Sequence, residues 1–327
     1  MTASTAPLVS IIMPVKNAGS AISGHENAWL IDCLKSIQGQ SFSRWELIAV
    51  DDHSSDNSKE ILSTLAHKDN RIQIYNNEGN GIISALQMAL KHSTGTFITR
   101  MDADDIMPAD KLKCMLEVLE ANPRAVVTGK VKYFADGLVS EGYLAYEKWL
   151  NERIDANDYW DWMYRECVIA SANWMTHRDH VVLASDVYPE DYNLVFHWYE
   201  NRLEVMGVDA VTHLWREHDK RTSRISAHYD QTAFFDLKLA QFLRFDQQED
   251  RPLAVMGKNK KAKLIGQFLN KNQIAYIGID LENLHLVAEL DQPQVLVAVF
   301  PDELVREGIV GFLGGFGLDM GKDWWWV

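Results

Sequence analysis

The chain has 327 residues, 47% of them apolar and 24% charged, with a formal net charge of −14. That length and composition allow one large or two ordinary globular domains, and the acidic balance argues against a nucleic-acid binder, which carries a basic footprint. Three scattered cysteines, Cys33, Cys114 and Cys167, exclude a disulfide framework or a structural zinc site.

The opening Met1 to Ala6 lacks the basic region and apolar core of a signal peptide, and no apolar run is long enough to span a bilayer. With cysteine usage that suits a reducing compartment, the reading is a cytoplasmic protein. A negative net charge still permits local contact with the inner membrane face. Leu8 to Val15 is a short apolar run ended by Lys16-Asn17-Ala18-Gly19, a buried strand feeding a loop. Leu30, Cys33, Leu34 and Ile37 recur at helical spacing. Trp45 to Val50 is a second strand stopping at Asp51-Asp52, and Ser55 or Asp56 caps the next helix, through Ala66. Arg71 to Tyr75 is a third strand, Gly79-Asn80-Gly81 breaks the chain before a helix through Lys91, and Thr96 to Arg100 is a fourth strand. This alternation predicts a mostly parallel sheet flanked by helices, with ligands at the carboxyl ends of its strands. Three polar clusters fall at those ends: Pro14 to Asn17, Asp51-Asp52 and Asp102 to Asp105.

Tyr143 to His228 is rich in aromatic and charged residues, including Trp149, Trp160, Trp162, Trp174, Trp198 and Trp215, which suit a sugar cleft, a core or an interface. Thr232 to Phe245 reads as an amphipathic helix and Gln247 to Pro252 as a polar linker. Beyond it, strands at Leu253–Met256, Ile274–Ile279 and Val295–Phe300, helices at Ala262–Leu269 and Glu303–Phe312, and a last strand at Trp324-Trp325-Trp326-Val327 predict a small α/β domain.

Several of these segments carry chemistry. Asp102-Ala103-Asp104 at a strand end can hold a hard divalent cation and its phosphates, or be a solvated acidic turn. Arg100 beside it suits a phosphate or a carboxylate. A carboxylate in Asp51-Asp52 can accept the imide N–H of a uracil base. The glycines of Asn77-Glu78-Gly79-Asn80-Gly81 allow close backbone approach to a ligand or simply punctuate the chain. The acidic pair Glu190-Asp191 offers either a general base for an acceptor hydroxyl or a helix start with acids in its first turn. Trp215 to His218 and Arg221 to Ser226 form a basic, hydroxyl-rich stretch suited to diphosphate oxygens, in which His218 can ligate a metal; read alone it is a surface loop.

In order, Val9-Ser10-Ile11-Ile12-Met13-Pro14-Val15-Lys16-Asn17, Ser36-Ile37 with Gln40-Ser41-Phe42, Trp45 through Asp56, Asn77 through Gly81, Arg100 through Asp105 and Pro189 through Leu194 resemble the family 2 glycosyltransferases of the GT-A fold. The resemblance runs from Pro7 to Ser226, and each motif gains its weight from standing in the family's order. It implies an inverting transferase moving a sugar from a nucleoside-diphosphate sugar, a UDP-sugar above all, to an acceptor hydroxyl on a glycan or lipid-linked acceptor in surface-polysaccharide assembly. It implies Pro14, Asn17, Asp52, Asn80, Arg100 and Asp102 on the donor side, and Asp104, Asp102 and His218 toward Mn2+ or Mg2+, with Asp104 the direct ligand. Asp191 is implied as the base. Three departures stand out: Lys16 where many relatives carry tyrosine, an insertion at Ser20 to Asn27, and the run Asn193 to Trp198 where many relatives have a Leu-Trp pair followed by arginine. A sugar nucleotidyltransferase would instead need a glycine-rich, basic loop after the first strand, which Pro14-Val15-Lys16-Asn17 is not; a non-catalytic nucleotide-sugar-binding scaffold is the third reading.

The expected division is a GT-A domain over 1–246 (nucleotide half 7–135, acceptor half 136–230, trailing helix 232–246) and a small Rossmann-like domain over 252–327. In the latter, Gly257-Lys258-Asn259-Lys260-Lys261-Ala262 stands where a dinucleotide fold places three glycines and keeps only the first, so an association or scaffold role is favoured over nucleotide binding. Trp324-Trp325-Trp326 is expected to bury this domain against the first or to form a homo-oligomer contact.

Overall fold

A computed structural model of the chain describes residues 6–20, 28–219, 221, 224, 226–280 and 282–327. Most of the insertion read after the first strand, 21–27, and residues 222, 223 and 225 of the basic stretch lie outside the described residues. The chain divides into two compact units, 1–157 with 169–221, and 158–168 with 222–327.

The first unit is built on a seven-stranded sheet. Its strands are β1 (Val9–Val15), β2 (Trp45–Asp51), β3 (Ile72–Asn76), β4 (Phe97–Arg100), β5 (Val126–Phe134), β6 (Trp174–His177) and β7 (Val205–Arg216). They lie in the order β3-β2-β1-β4-β6-β5-β7, with β6 antiparallel to both neighbours and the other pairs parallel. All of β2 is buried and nearly all of β1, as expected for parallel strands covered on both faces. Val9, Ile11, Met13 and Val15 share a core with Leu47 and Ala49, with Leu30, Cys33, Leu34 and Ile37 of α1 (Trp29–Gln38), and with Leu112, Met115, Leu116 and Leu119 of α4 (Lys111–Ala121). The alternate positions Ile12, Ile48 and Val50 turn to the other face, where α3 (Gly81–His92) packs on β1 and β2. The remaining helices of this unit are α2 (Ser58–Ala66), α5 (Glu141–Ala156) and α6 (Glu190–Glu200).

The second unit holds a four-stranded, all-parallel sheet: β8 (Leu253–Met256), β9 (Ile277–Ile279), β10 (Gln294–Val297) and β11 (Trp324–Trp326), in the order β11-β10-β8-β9. Its helices are α7 (Gln231–Phe245), α8 (Lys260–Lys271) and α9 (Glu303–Gly315), capped by Asp230, Asn259 and Asp302, each accepting a backbone N–H three residues on.

Two sequence expectations change here. The unit boundary falls near residue 221 rather than 246, and 158–168 counts with the second unit. The cause is packing: Phe242 of α7 meets Trp325 edge-on at 5.0 Å, and Tyr164 meets both Phe242 and Trp325 and donates to Asp246 at 2.5 Å. The polar run 247–252 is fastened by Gln294, which accepts from Gln248 N and donates to the Asp246 carbonyl. The final tryptophans are the second change. They form β11 and fill their own unit's core: Trp324 and Trp326 pack with Val295, Val297, Ile309 and Leu313, while Trp325 faces Phe242. Among the described residues no helix is long and apolar enough to cross a membrane.

Candidate active site

Along the carboxyl edge of the first sheet, in strand order, come Asn77 after β3, Asp52 after β2, Lys16 after β1 and Asp102 after β4. At the β1–β2 end, Asp52 is 3% exposed and bonded at both carboxylate oxygens. Its Oδ1 accepts from Asn77 Nδ2 at 2.7 Å and from the Gly81 N–H at 3.0 Å, and its Oδ2 pairs with Lys16 Nζ at 3.0 Å. Burial pushes the Asp52 carboxyl up, but the Lys16 ammonium, the Asn77 amide and the Gly81 N–H outweigh it and hold the group below its ordinary value. Lys16 itself stays largely exposed.

The loop after β1 is tied to the start of α2. Asn17, in the left-handed region at φ 52°, accepts from the Ser55 N–H at 2.8 Å, and its own N–H donates to Ser54 Oγ. Asp56 does not cap α2 from the position expected; the helix begins at Ser58, whose N–H and hydroxyl both donate to Asp56 Oδ1, while Oδ2 accepts from the Gly19 N–H. A Cβ on Gly19 would stand 2.2 Å from Ser58 N, so only glycine lets these two loops close. Pro14 is half-buried on β1, and Asn80 is exposed at the N-terminus of α3 with its side chain making no cap bond.

The turn after β4 is supported from below. Asp105, 1% exposed, accepts from the Arg216 N–H at 2.8 Å and faces His213 Nε2 at 3.0 Å. Burial raises the Asp105 carboxyl and lowers the His213 imidazole, so His213 is neutral. Arg216 Nε donates to the Asp104 carbonyl at 2.7 Å, and Cys33 Sγ donates to the Asp102 carbonyl. The end of β7 is thereby fastened to the turn, which brings His218 Nε2 to 2.8 Å from Asp104 Oδ2. Trp29 lies against the His218 ring at 4.0 Å between centroids. Asp104 is pulled up by burial and down, on balance, by His218.

The same turn reaches α6 through one buried cation. Arg100, 5% exposed, donates from Nε to Asp102 Oδ1 and from Nη1 to Glu190 Oε1, each at 2.8 Å. Asp191, the next residue in the first turn of α6, is partly open to solvent and accepts from the Tyr192 N–H. Burial first, and the Glu190 charge second, push its carboxyl up to about 7, with Arg100 pulling back.

Two clusters therefore emerge from the expected residues. Pro14, Asn17, Asp52 and Asn80 stand around the ends of β1 and β2 and the start of α3; Arg100, Asp102, Asp104, Asp191 and His218 stand around the turn after β4. Arg100 differs from its expected place among donor contacts, because both bonds described here go to carboxylates in a buried bridge. For a divalent cation the residues fit in part. Asp104 and His218 converge and are of a donor type suited to such an ion, whereas Asp102 is turned to Arg100, with Ser171 Oγ 3.5 Å from its other oxygen. Among the described residues no three His, Cys, Asp or Glu side chains group as a metal site. Sequence reasoning passed over Glu190, Asp105 and His213 as supports; Asp105 was visible as the extra acid of the motif, but the partner His213 lies 108 positions away and carried no signal.

A mostly parallel sheet with acids at its carboxyl edge and a helix-borne carboxylate beside them places the candidate site where α/β folds of this class bind their ligands. The model for "Glycosyl transferase family 2" matches residues 10–181. The chain belongs to that family, on a GT-A fold. Among curated proteins it is similar to the Escherichia coli UDP-Glc:alpha-D-GlcNAc-diphosphoundecaprenol beta-1,3-glucosyltransferase WfgD, 33% identical over 43% of this chain and 52% of that one. An uncharacterized glycosyltransferase of Haemophilus influenzae is 26% identical over 87% of this chain and 80% of its own length. The chain spans about half the length of the E. coli relative it matches. Among solved structures, S. aureus TarS 1-349 in complex with UDP-GlcNAc superposes with a TM-score of 0.54 at 20% identity, over 81% of this chain and 72% of that one. The mannosyltransferase PcManGT of Pyrobaculum calidifontis, in complex with GDP-Man and Mn2+, gives 0.56 at 17% identity, over 81% and 70%.

Proposed function

We propose that this protein is an inverting glycosyltransferase that moves a sugar from a nucleoside-diphosphate sugar, a UDP-sugar in the first place, to an acceptor hydroxyl. One observation carries the reading: Asp191, a carboxylate held near neutrality, sits one residue from Glu190, which a buried arginine joins to Asp102 of the turn after β4. The base for an acceptor thus stands beside the edge where a donor is expected, with a proton affinity suited to work at neutral pH.

Lys16 and Asp52 offer the base a donor beside an acceptor, the pattern that a uracil O4 and N3–H would complement. Asp104 and His218, with Asp102 alongside, would hold Mn2+ or Mg2+. When bound, such an ion offsets the charge of a departing diphosphate. Asp191 takes the proton of the acceptor hydroxyl as its oxygen bonds to the anomeric carbon. The bond from that carbon to the diphosphate oxygen breaks with its electron pair, the nucleoside diphosphate leaves, and configuration inverts. The similarity to WfgD, whose name specifies a UDP-Glc donor and a diphosphoundecaprenol-linked acceptor, supports a lipid-linked or glycan acceptor in surface-polysaccharide assembly at the inner membrane face.

The test is calorimetric titration of UDP into the protein with Mn2+, without Mn2+, and with Asp104→Ala. Metal-dependent binding that the substitution abolishes is expected. Binding indifferent to both would overturn the assignment of Asp104 and His218, and no binding of UDP alongside binding of GDP would overturn the uracil reading.

A further inference from the structure

Arg100 is the strongest unassigned feature of the first unit. A guanidinium at 5% exposure at the end of a central strand is costly unless its donors meet acceptors. Here two separate carboxylates, 88 positions apart in the chain, meet it at 2.8 Å each: Asp102 in the turn after β4, and Glu190, itself 4% exposed, at the first position of α6. The planar fork of arginine can serve two acceptors from one fixed position, which the point charge of lysine does less well. The position of Arg100 is set by β4, which is buried along its whole length and paired on both sides. A bond from a rigid strand to each of two acids, one in a turn and one at the start of a helix, fixes those acids relative to one another.

We propose that Arg100 is a positioning residue that joins the turn after β4 to the first turn of α6, setting both the placement and the electrostatic surroundings of Asp191. The inference rests on the reading of Asp191 as the base and adds how that base is kept serviceable. Glu190 is an anion adjacent to Asp191 and opposes its ionisation; Arg100 offsets that anion across the bridge, and Asp102 contributes a weaker opposing charge. Among the described residues these are the charges that act most strongly on Asp191, from its own helix, from β4 and from the turn after β4. Without the guanidinium, the buried Glu190 carboxylate would stand beside Asp191 uncompensated, with the more distant effect of Asp102 added, and Asp191 would hold its proton at neutral pH.

The test reads the carboxylate itself in the free protein. Aspartate labelled with 13C at the side-chain carboxyl is incorporated, the Asp191 signal is assigned with Asp191→Asn, and its midpoint is followed through pH. The wild type is expected to titrate near 7. Arg100→Met is expected to move the midpoint up by about a unit or more, and Arg100→Lys to return most of that shift. Glu190→Gln is expected to move it down, and this variant keeps the proposal testable if Arg100→Met fails to fold. An unmoved midpoint in Glu190→Gln, or in folded Arg100→Met, overturns the proposal. Because no substrate is present, expected shifts in a protein that transfers no sugar would leave the bridge standing and sink the catalytic reading instead.

Discussion

The two parallel sheets of this chain end very differently at their carboxyl edges. In the first unit, β2 and β4 run out into bonded acids: Asp52, buried, by three donors, Asp105, buried, by a backbone N–H and an imidazole, and Asp102, partly exposed, by a guanidinium. In the second unit the edge after β8 carries Gly257 at φ +141°, then Lys258, which pairs in the open with Asp280 after β9. Asn259 stands where a dinucleotide fold places its second glycine. Its carboxamide accepts from the Ala262 N–H at 2.9 Å and donates to the Ala298 carbonyl at 2.9 Å, where a dinucleotide fold needs a residue with no side chain. The lesson is that a Rossmann-like strand order supplies an edge, and only the residues placed there make it a site.

The largest expected effect breaks the comparison at its chemical end. Asp191→Asn keeps the shape of the first turn of α6 and removes the base. Transfer from a UDP-sugar should fall by about 10²–10⁴-fold, with UDP affinity unchanged by calorimetry. The pH profile of the wild type follows from the sign of the shift. Asp191 works deprotonated, and burial and Glu190 raise it to about 7, so kcat should fall tenfold per pH unit as pH drops below about 7. A flat profile between pH 5 and about 8 would remove Asp191 from the role.

The complementary effect lies in the second unit, where aromatic burial, not charge, does the structural work. Trp325 is 1% exposed and packs on Phe242 and Tyr164. Trp325→Ala should cost about 3–5 kcal/mol of that unit's stability, visible as an early transition in a thermal melt. UDP binding measured below that transition should be unchanged. Loss of UDP affinity together with the melt would mean that the second unit supports the donor edge.

How much of this contrast could be read in advance divides along the same line. The strands β1, β2 and β4 and the helices α1 and α3 were legible because buried parallel strands write continuous apolar runs and amphipathic helices write a period. The acids at their ends were legible because they interrupt those runs. The segment from Lys111 to Arg216 was not resolved into elements: β5, β6 and β7 pair across the sheet with a register shift between Gly129 and Val131, and β6 is only four residues long. The supports of the site were hidden for a different reason. Glu190 looked like an ordinary helix-start acid, and His213 like one more aromatic, because their meaning depends on Arg100 and Asp105, which are distant in sequence. The last tryptophans misled because three adjacent large apolar residues suggest a contact surface, whereas on this edge strand Trp324 and Trp326 are buried in the unit's core and Trp325 is buried against Phe242 and Tyr164.

The smallest expected effect is the sharpest check on the second edge. Lys258 is 71% exposed, pairs with Asp280 and lies near Glu282, and exposed pairs of this kind contribute little to stability. If the β8 edge binds no nucleotide, Lys258→Ala leaves the affinity for UDP, for ADP and for inorganic pyrophosphate where it stood, because none of them uses that lysine. Tryptophan fluorescence gives the readout, and the comparison with Lys258→Ala makes it local to this unit, where Trp324 and Trp326 line the core. A quench by ADP or pyrophosphate that Lys258→Ala abolishes would place an anion at the N-terminus of α8 despite the Asn259 side chain, and the contrast between the two edges would fail there.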